Sequence, residues 1–339
     1  MKSADSEGAP KRITLSDVAR AVGVSKITVS RAMRDSPLVR ADVRQKVRET
    51  AEALGYRVNL AARDLRLQQR RRIAVIVEMK VSEERPMYDP FPLALLGGIV
   101  QQCAAAGFAV VLATGDPEMA AEARDASGIV VLGQGANHQM VRSLAALELP
   151  LVVWGADDGT ETTMGVAVVG SDNREGGRLA AAHLLARGAR LIFLGDTSHA
   201  EVADRLAGFR ESIDGKRGAA LVDVRSCDFT REGGRSAMEA VLAGGAAFDG
   251  IFAQSDLVAI GAMDALNAAG IAWRDRIAVV GYDDSPAAAA HRPQLTSIRQ
   301  DWTAGGRLLA SAMLAQLHPA RHRSPESHIL PVSLTRRET

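Results

Sequence analysis

Residues 13–33 read ITLSDVARAVGVSKITVSRAM, two short helical patterns that meet at Gly23. The first covers 16–22, with Ser16 placed to cap it. The second covers 25–33, with Ser25 as cap directly after Gly23-Val24. Neither segment is long enough to persist alone in water. They can persist together, because Val18, Ala19, Val22, Val24, Val29 and Met33 form a small shared core. A third pattern over 41–54 repeats Val43, Val47, Ala51 and Leu54 at helical spacing and stops at Gly55, with Tyr56 just beyond to complete the packing. This arrangement leaves Lys26, Ile27, Ser30, Arg31 and Arg34 on one outer face of the second helix. A helix opened by Ser25 offers free backbone N–H groups to a phosphate. Its first side chains can reach base edges in a major groove, with Arg31 suited to bidentate contact with guanine.

Charge supports that reading. The chain as a whole is nearly neutral, at +1, but residues 1–72 hold 17 Lys and Arg against 8 Asp and Glu, a local charge of +9. The remainder carries −8, from 24 basic and 32 acidic residues. A basic head on an acidic body points to a polyanionic partner for the head; a merely solvated arm is the alternative.

At Ile73 the texture changes. Short apolar runs follow one another: IAVIVEM (73–79), FAVVLA (108–113), GIVVLG (128–133), LPLVVWG (149–155), GVAVVG (165–170), RLIFLGD (190–196), ALVDVRS (220–226), FDGIFAQ (248–254) and IAVVGYD (277–283). Ala-rich helical stretches separate most of them. Strands alternating with helices imply parallel sheets covered by helices. So many strands imply two similar Rossmann-like lobes, an α/β core that binds ligands beyond the carboxyl ends of its strands. Hydrophobic residues make up 47% of the chain and aromatics only 4%, so aliphatic side chains must build these cores. Two cysteines, Cys103 and Cys227, form no disulfide framework and suit a reducing, cytoplasmic compartment. No apolar run approaches the roughly 18 residues of a membrane span, and the N-terminus MKSADSEGAPKR has no secretory apolar region.

The stretches TLSDVARAVGVSKITVSRAM (14–33) and VRQKVRETAEALGYRVN (43–59) closely resemble the headpiece of LacI/GalR transcription regulators. The resemblance continues through RLAGF (205–209), GYDD (281–284) and LTSIRQD (295–301), and so covers nearly the whole chain. It implies an α-helical helix-turn-helix headpiece, a hinge, and a periplasmic-binding-protein-like core that dimerises. By this resemblance Lys26, Ile27 and Arg31 read bases, while Ser25, Thr28 and Ser30 lie near phosphates or the groove edge. The form KITVSRAMR is most similar to the gluconate-repressor subgroup. The domains expected are a disordered tail (1–11), the headpiece (12–58), a hinge (59–71) and the core (72–339). Within the core, lobe one is expected over about 72–188 and 300–325, and lobe two over about 189–299 and 326–339. In the hinge stretch VNLAARDLRL (58–67), Asn59 can cap a short helix with Ala62 and Leu65 on one face. The resemblance implies that two copies pair on DNA and that Leu65 wedges into the minor groove.

The same resemblance places Arg205 and Asp283 against an effector from the second lobe, with Ser255 and Asp256 at the rim. Phe229 stands where the family often stacks an aromatic side chain on the ligand. Tyr88, Phe91 and Glu175 are the first-lobe candidates, and Gln300, Asp301 and Trp302 lie on a crossover between lobes. Three features depart from the family pattern: two prolines in MYDPFP (87–92) where a helix usually starts, a short segment before Gly128, and Ser255 in place of a frequent Asn. A capping role for Asp256 or Asp283 is the competing reading.

No catalytic arrangement, cofactor motif or metal motif stands out. GQGANH (133–138) lacks the third glycine of a dinucleotide fingerprint and reads as a strand-end loop. Pro319 and Pro325 break any helix that would align His318, His322 and His328 into a metal site. The expectation is a regulator of a pseudo-palindromic double-stranded DNA operator, a repressor of a carbohydrate-utilisation operon. It would be controlled by a sugar or sugar acid and active as a homodimer, because only TRRET follows Leu334 and leaves no room for a tetramerising helix. A solute-binding protein of a sugar transport system and a sugar-converting enzyme are the rivals.

Overall fold

The computed structural model describes residues 13–33, 35–56, 71–79, 86–114, 123–318 and 326–339. The chain forms two units, one ending at Arg70 and one spanning Arg71–Thr339. Arg34, Asn59, Ala62 and Leu65 lie outside the described residues, as do the tail and nearly all of the hinge.

The first unit holds α1 (Leu15–Val22), α2 (Lys26–Ala32) and α3 (Ala41–Ala53). Val18, Val29, Ala32 and Val47 are fully buried between them, and Val22, Val24, Met33 and Tyr56 pack against that cluster. Gly23 takes φ 79, a left-handed turn between α1 and α2 that a side chain would strain. Two details differ from the sequence expectation. The cap of α1 is Thr14, not Ser16: the Asp17 carboxylate accepts the Thr14 N–H at 2.9 Å and its hydroxyl at 2.6 Å. Starting the helix two residues earlier lets Leu15 join the core. Leu54 falls one residue beyond α3 and is exposed, because the chain reverses at Gly55 and Tyr56 takes the packing role.

The second unit is built on two six-stranded sheets. The first contains β1 (Arg72–Val77), β2 (Ala109–Thr114), β3 (Gly128–Leu132), β4 (Leu151–Trp154), β5 (Ala167–Ser171) and β11 (His328–Leu330), ordered β11-β5-β4-β3-β1-β2. The second contains β6 (Arg190–Leu194), β7 (Ala220–Arg225), β8 (Gly250–Ala253), β9 (Ala278–Asp283), β10 (Thr296–Arg299) and β12 (Ser333–Thr335), ordered β12-β10-β9-β8-β6-β7. The orders are the same, so the lobes are topological repeats of one doubly wound unit. Every pairing is parallel except β10 with β12. The apolar runs of the sequence fill β1, β3 and β4 with residues buried on both faces, as parallel strands require.

The helices of this unit include α4 (Pro90–Ala105), α5 (Gln139–Ala145), α6 (Thr160–Thr163), α7 (Asn173–Leu185), α8 (Ala200–Asp214), α9 (Arg231–Ala243), α10 (Asp256–Ala268), α11 (Pro286–Ala290) and α12 (Trp302–Gln316). Two lobe boundaries move. Helix α7 packs on α8 and on the second sheet, so the first lobe gives way near Asp172 rather than at 188. Strand β11 pairs with β5, so the segment 326–339 is divided between the sheets rather than confined to lobe two. The reason for the first shift is steric. A Cβ on Gly177 would fall 2.0 Å from the Arg205 carbonyl oxygen and 2.7 Å from the Phe209 nitrogen, so only glycine lets α7 and α8 cross this closely.

Gly177→Ala should therefore push α7 off α8 and cost about 1–3 kcal/mol of core stability. Urea denaturation of the purified chain measures this directly, and an unchanged midpoint would contradict the packing described.

Candidate nucleic-acid interface and effector cleft

Helix α2 turns Val29 and Ala32 inward, which leaves its opposite face to solvent. Ser25 caps it, its Oγ accepting the Thr28 N–H at 3.1 Å and lying 2.9 Å from the Thr28 hydroxyl. Lys26 and Arg31 are exposed, and among the described residues neither is ion-paired. Thr28 and Ser30 are half-buried at the edge of this face. Ile27 is 64% exposed, a large apolar side chain left in water by a domain with few to spare. An apolar side chain beside two cations on one helix face matches what a groove offers: phosphates, base acceptors and thymine methyl groups.

In the core, the second lobe presents Arg205 from α8. It is 4% exposed. Its Nε donates to Asn173 Oδ1 at 2.9 Å, its Nη1 donates to the Gln254 carbonyl at 2.5 Å, and its Cζ lies 3.6 Å from the centroid of the Tyr282 ring. Tyr282 in turn donates its hydroxyl to Asn173 Oδ1 at 3.2 Å. Among the described residues no carboxylate is within ion-pair distance of this guanidinium. Asp283 follows Tyr282 with φ 113, and its Oδ1 accepts from Gln300 Nε2 at 2.8 Å. Burial pushes the Asp283 carboxyl well above the usual carboxylate range; Arg205 opposes the shift, while Asp256 and Asp89 add to it. Asp89 belongs to the first lobe, where it caps α4 by accepting the Phe91 N–H at 2.9 Å. The cleft thus sets one buried guanidinium against acids from both lobes.

The two prolines of MYDPFP do not disturb α4. Pro90 opens the helix, where its missing N–H has no partner to lose. Phe91 meets Trp302 edge-to-face at 5.7 Å, and the buried Trp302 Nε1–H has no partner among the described residues. Phe229 packs edge-to-face on His199 at 5.3 Å. The other candidates are placed differently. Tyr88 is 76% exposed. Glu175 pairs with Arg178 at 2.9 Å, in a surface network that also reaches Glu211. Ser255 caps α10. Asp256 is buried and fully used: Oδ1 accepts the Ser297 hydroxyl at 2.6 Å and Oδ2 the Ser285 N–H at 2.7 Å, so it staples β10 to the loop after β9. Burial is also what raises its pKa.

Sequence reasoning missed the partners that hold Arg205. Asn173 stood inside SDNREGG (171–177) and Tyr282 inside GYDD, yet neither was singled out. Gln254 and Gln134 were also missed. Gln254 directly follows β8 and Gln134 lies two residues past β3, and each ties its strand end to neighbouring loop backbone: Gln254 to Asp196 N and Cys227 O, Gln134 to Ala156 N and O. The repeat of strand followed by glutamine, VVLGQ and GIFAQ, was the available signal.

The raised carboxyls have a measurable consequence. Asp256 and Asp283 keep protons in the folded chain at pH values where the unfolded chain has lost them. Core stability should therefore fall as pH rises above about 4, the ordinary carboxylate value. Urea midpoints should decline from mildly acidic to neutral pH, and less steeply in Asp283→Asn; equal slopes in the two proteins would contradict this.

The family of bacterial regulatory proteins designated lacI matches residues 14–59, and the periplasmic binding protein-like domain matches residues 181–339. The chain is 30% identical over 321 residues to the HTH-type transcriptional regulator CelR of Thermobifida fusca, covering 91% of this chain and 92% of that one. It is 30% identical over 318 residues to the HTH-type transcriptional regulator GntR of Pseudomonas aeruginosa, covering 90% and 89%. Among solved structures, the lac repressor dimer bound to operator and the anti-inducer ONPF superposes with a TM-score of 0.83 at 25% identity, over 97% of this chain and 99% of that chain. The CelR–cellobiose complex superposes at 0.71 with 28% identity, over 96% and 99%. With a headpiece that leaves its second helix bare and a core of two repeated lobes, this chain belongs to the LacI family of bacterial transcriptional regulators.

Proposed function

We propose that the chain is a homodimeric, cytoplasmic repressor of a carbohydrate-utilisation operon, released from or driven to its operator by a sugar or sugar acid held between the core lobes. The observation that carries this reading is the outer face of α2, where Lys26, Ile27 and Arg31 stand together in solvent. Ser25, Thr28 and Ser30 then meet phosphate or the groove edge, and Arg34 extends the same face in sequence. Asn59, Ala62 and Leu65 serve as the hinge, with Leu65 the wedge. In the core, Arg205 and Asp283 bind ligand hydroxyls, with Gln300, Phe91, Trp302 and Phe229 around them. Tyr88, Glu175, Ser255 and Asp256 belong to the wider rim. A relative supports a sugar effector, since the solved CelR structure is a complex with cellobiose.

Dimerisation is supported by α4. Leu93 and Val100, seven residues apart on that helix, are 47% and 43% exposed, and Leu112 on the edge strand β2 is 43% exposed. Two copies meeting across this surface would present two headpieces to a two-fold symmetric operator. The headpiece tells against a transport protein.

Three outcomes follow from this reading. Arg31→Ala should weaken operator binding by about 1–3 kcal/mol and relax the preference at one base pair per half-site; gel shifts at fixed salt measure both, and an undiminished shift would count against the assignment. Val100→Glu should yield monomers by analytical ultracentrifugation and lose operator affinity together with the dimer. A thermal-shift screen of neutral sugars, aldonic acids and uronic acids should give a rise in melting temperature with one class that is lost in Arg205→Ala; no hit in any class would remove the support for a sugar effector.

A further inference from the structure

The loop GQGANH, which sequence alone assigns no role, carries His138. Asn137 and His138 adopt φ 53 and 56, two consecutive left-handed residues that turn the imidazole inward between β3 and α5. His138 is 8% exposed. Its Nδ1 lies 2.6 Å from Glu161 Oε1 and its Nε2 3.1 Å from Asp158 Oδ2. Glu161 is fully buried. Its Oε1 also accepts from Gln134 Nε2 at 2.7 Å, while its Oε2 is buried with no partner among the described residues. One donor atom from each of His138, Asp158 and Glu161 lies within 4.8 Å of the other two.

A buried carboxylate oxygen with no partner is costly, and the cost is relieved by a cation. Ligand atoms at about 2.0–2.2 Å from a zinc-like ion lie up to about 4 Å apart, so small side-chain rotations suffice to close the set. The buried Glu161 carboxylate is fixed in place beside the imidazole. Gln134, bonded to both Ala156 and Glu161, anchors that carboxylate in turn. Asp158, whose side chain is 42% exposed, stands on the side open to solvent and gives an ion a way in. One imidazole with two carboxylates suits Zn²⁺ better than Mg²⁺, which prefers an all-oxygen shell.

We propose that His138, Asp158 and Glu161 form a binding site for a divalent transition metal of the zinc type on the first lobe, separate from the Arg205 cleft. The site has a regulatory position. The Asn137 N–H, adjacent to His138, donates to the Ser198 carbonyl of the second lobe at 3.0 Å. Metal binding ties the loop that carries this inter-lobe bond to the turn at 156–161.

Isothermal titration of the chelator-treated full-length protein with ZnCl₂ tests the site. The expected result is one Zn²⁺ per chain, at least tenfold weaker binding in Asp158→Asn, and no comparable binding of MgCl₂. The Asp158→Asn change lies at a half-exposed position, and its metal-free melting temperature checks that the chain is folded. X-ray absorption at the zinc edge on the unmodified protein gives a second readout that needs no variant; it should show a single imidazole in a shell of oxygens. No binding, equal binding in Asp158→Asn, equal binding of Mg²⁺, a shell with several imidazoles, or binding lost instead in His322→Ala would overturn the proposal.

Discussion

The second lobe is organised around a buried arginine that, among the described residues, has no carboxylate within ion-pair distance. Arg205 leaves water to sit on the Tyr282 ring and bonds only neutral acceptors, the Asn173 side chain and the Gln254 carbonyl. A guanidinium tolerates this better than an ammonium because it is weakly hydrated and its planar fork matches fixed acceptors. The three partners come from three places: the crossover into α7, the end of β8 and the end of β9. One side chain thus holds together the loops that converge at the second lobe's carboxyl edge. A ligand that engages Arg205 acts on all of them at once, which is the physical requirement for a small molecule to bias a conformational equilibrium.

The duplication of the lobes places this arrangement where it can work. In each lobe a glutamine just beyond the third strand ties loop backbone, and each lobe takes its sixth strand from the C-terminal segment. The chain passes between the sheets after β5, after β10 and after β11, so the lobes share three connections. Gln300 lies on the second of these and contacts Asp283. Motion of one lobe against the other therefore acts directly on the acid beside Arg205.

Much of this was legible in the sequence. Nine apolar runs gave nine parallel strands: those between the sheet edges are buried on both faces and cannot hide their composition, and the edge strands β2 and β7 remain mostly apolar. Strands β10 (TSIR), β11 (HIL) and β12 (SLT) are short and mix polar with apolar residues, so no apolar run marks them. The lobe that owns α7 was misplaced because its packing is decided by Gly177, and a glycine carries no hydrophobic signal. In the headpiece the spacing of apolar residues was enough, although Thr14 with Asp17 outcompeted Ser16 as the cap. Arg205 and Asp283 were singled out through the resemblance of RLAGF and GYDD to a known family, and the structure places them close together. The His138, Asp158 and Glu161 cluster was not found, because its members meet only when β3 and β4 lie side by side.

The central claim is that α2 reads DNA as one half of a symmetric pair. Its most direct test is selection of bound duplexes from a random library by the full-length protein, followed by sequencing. The account predicts enrichment of one pseudo-palindrome whose two half-sites are related by a two-fold axis. Enrichment of a lone, asymmetric half-site, or of no sequence at all, would contradict it.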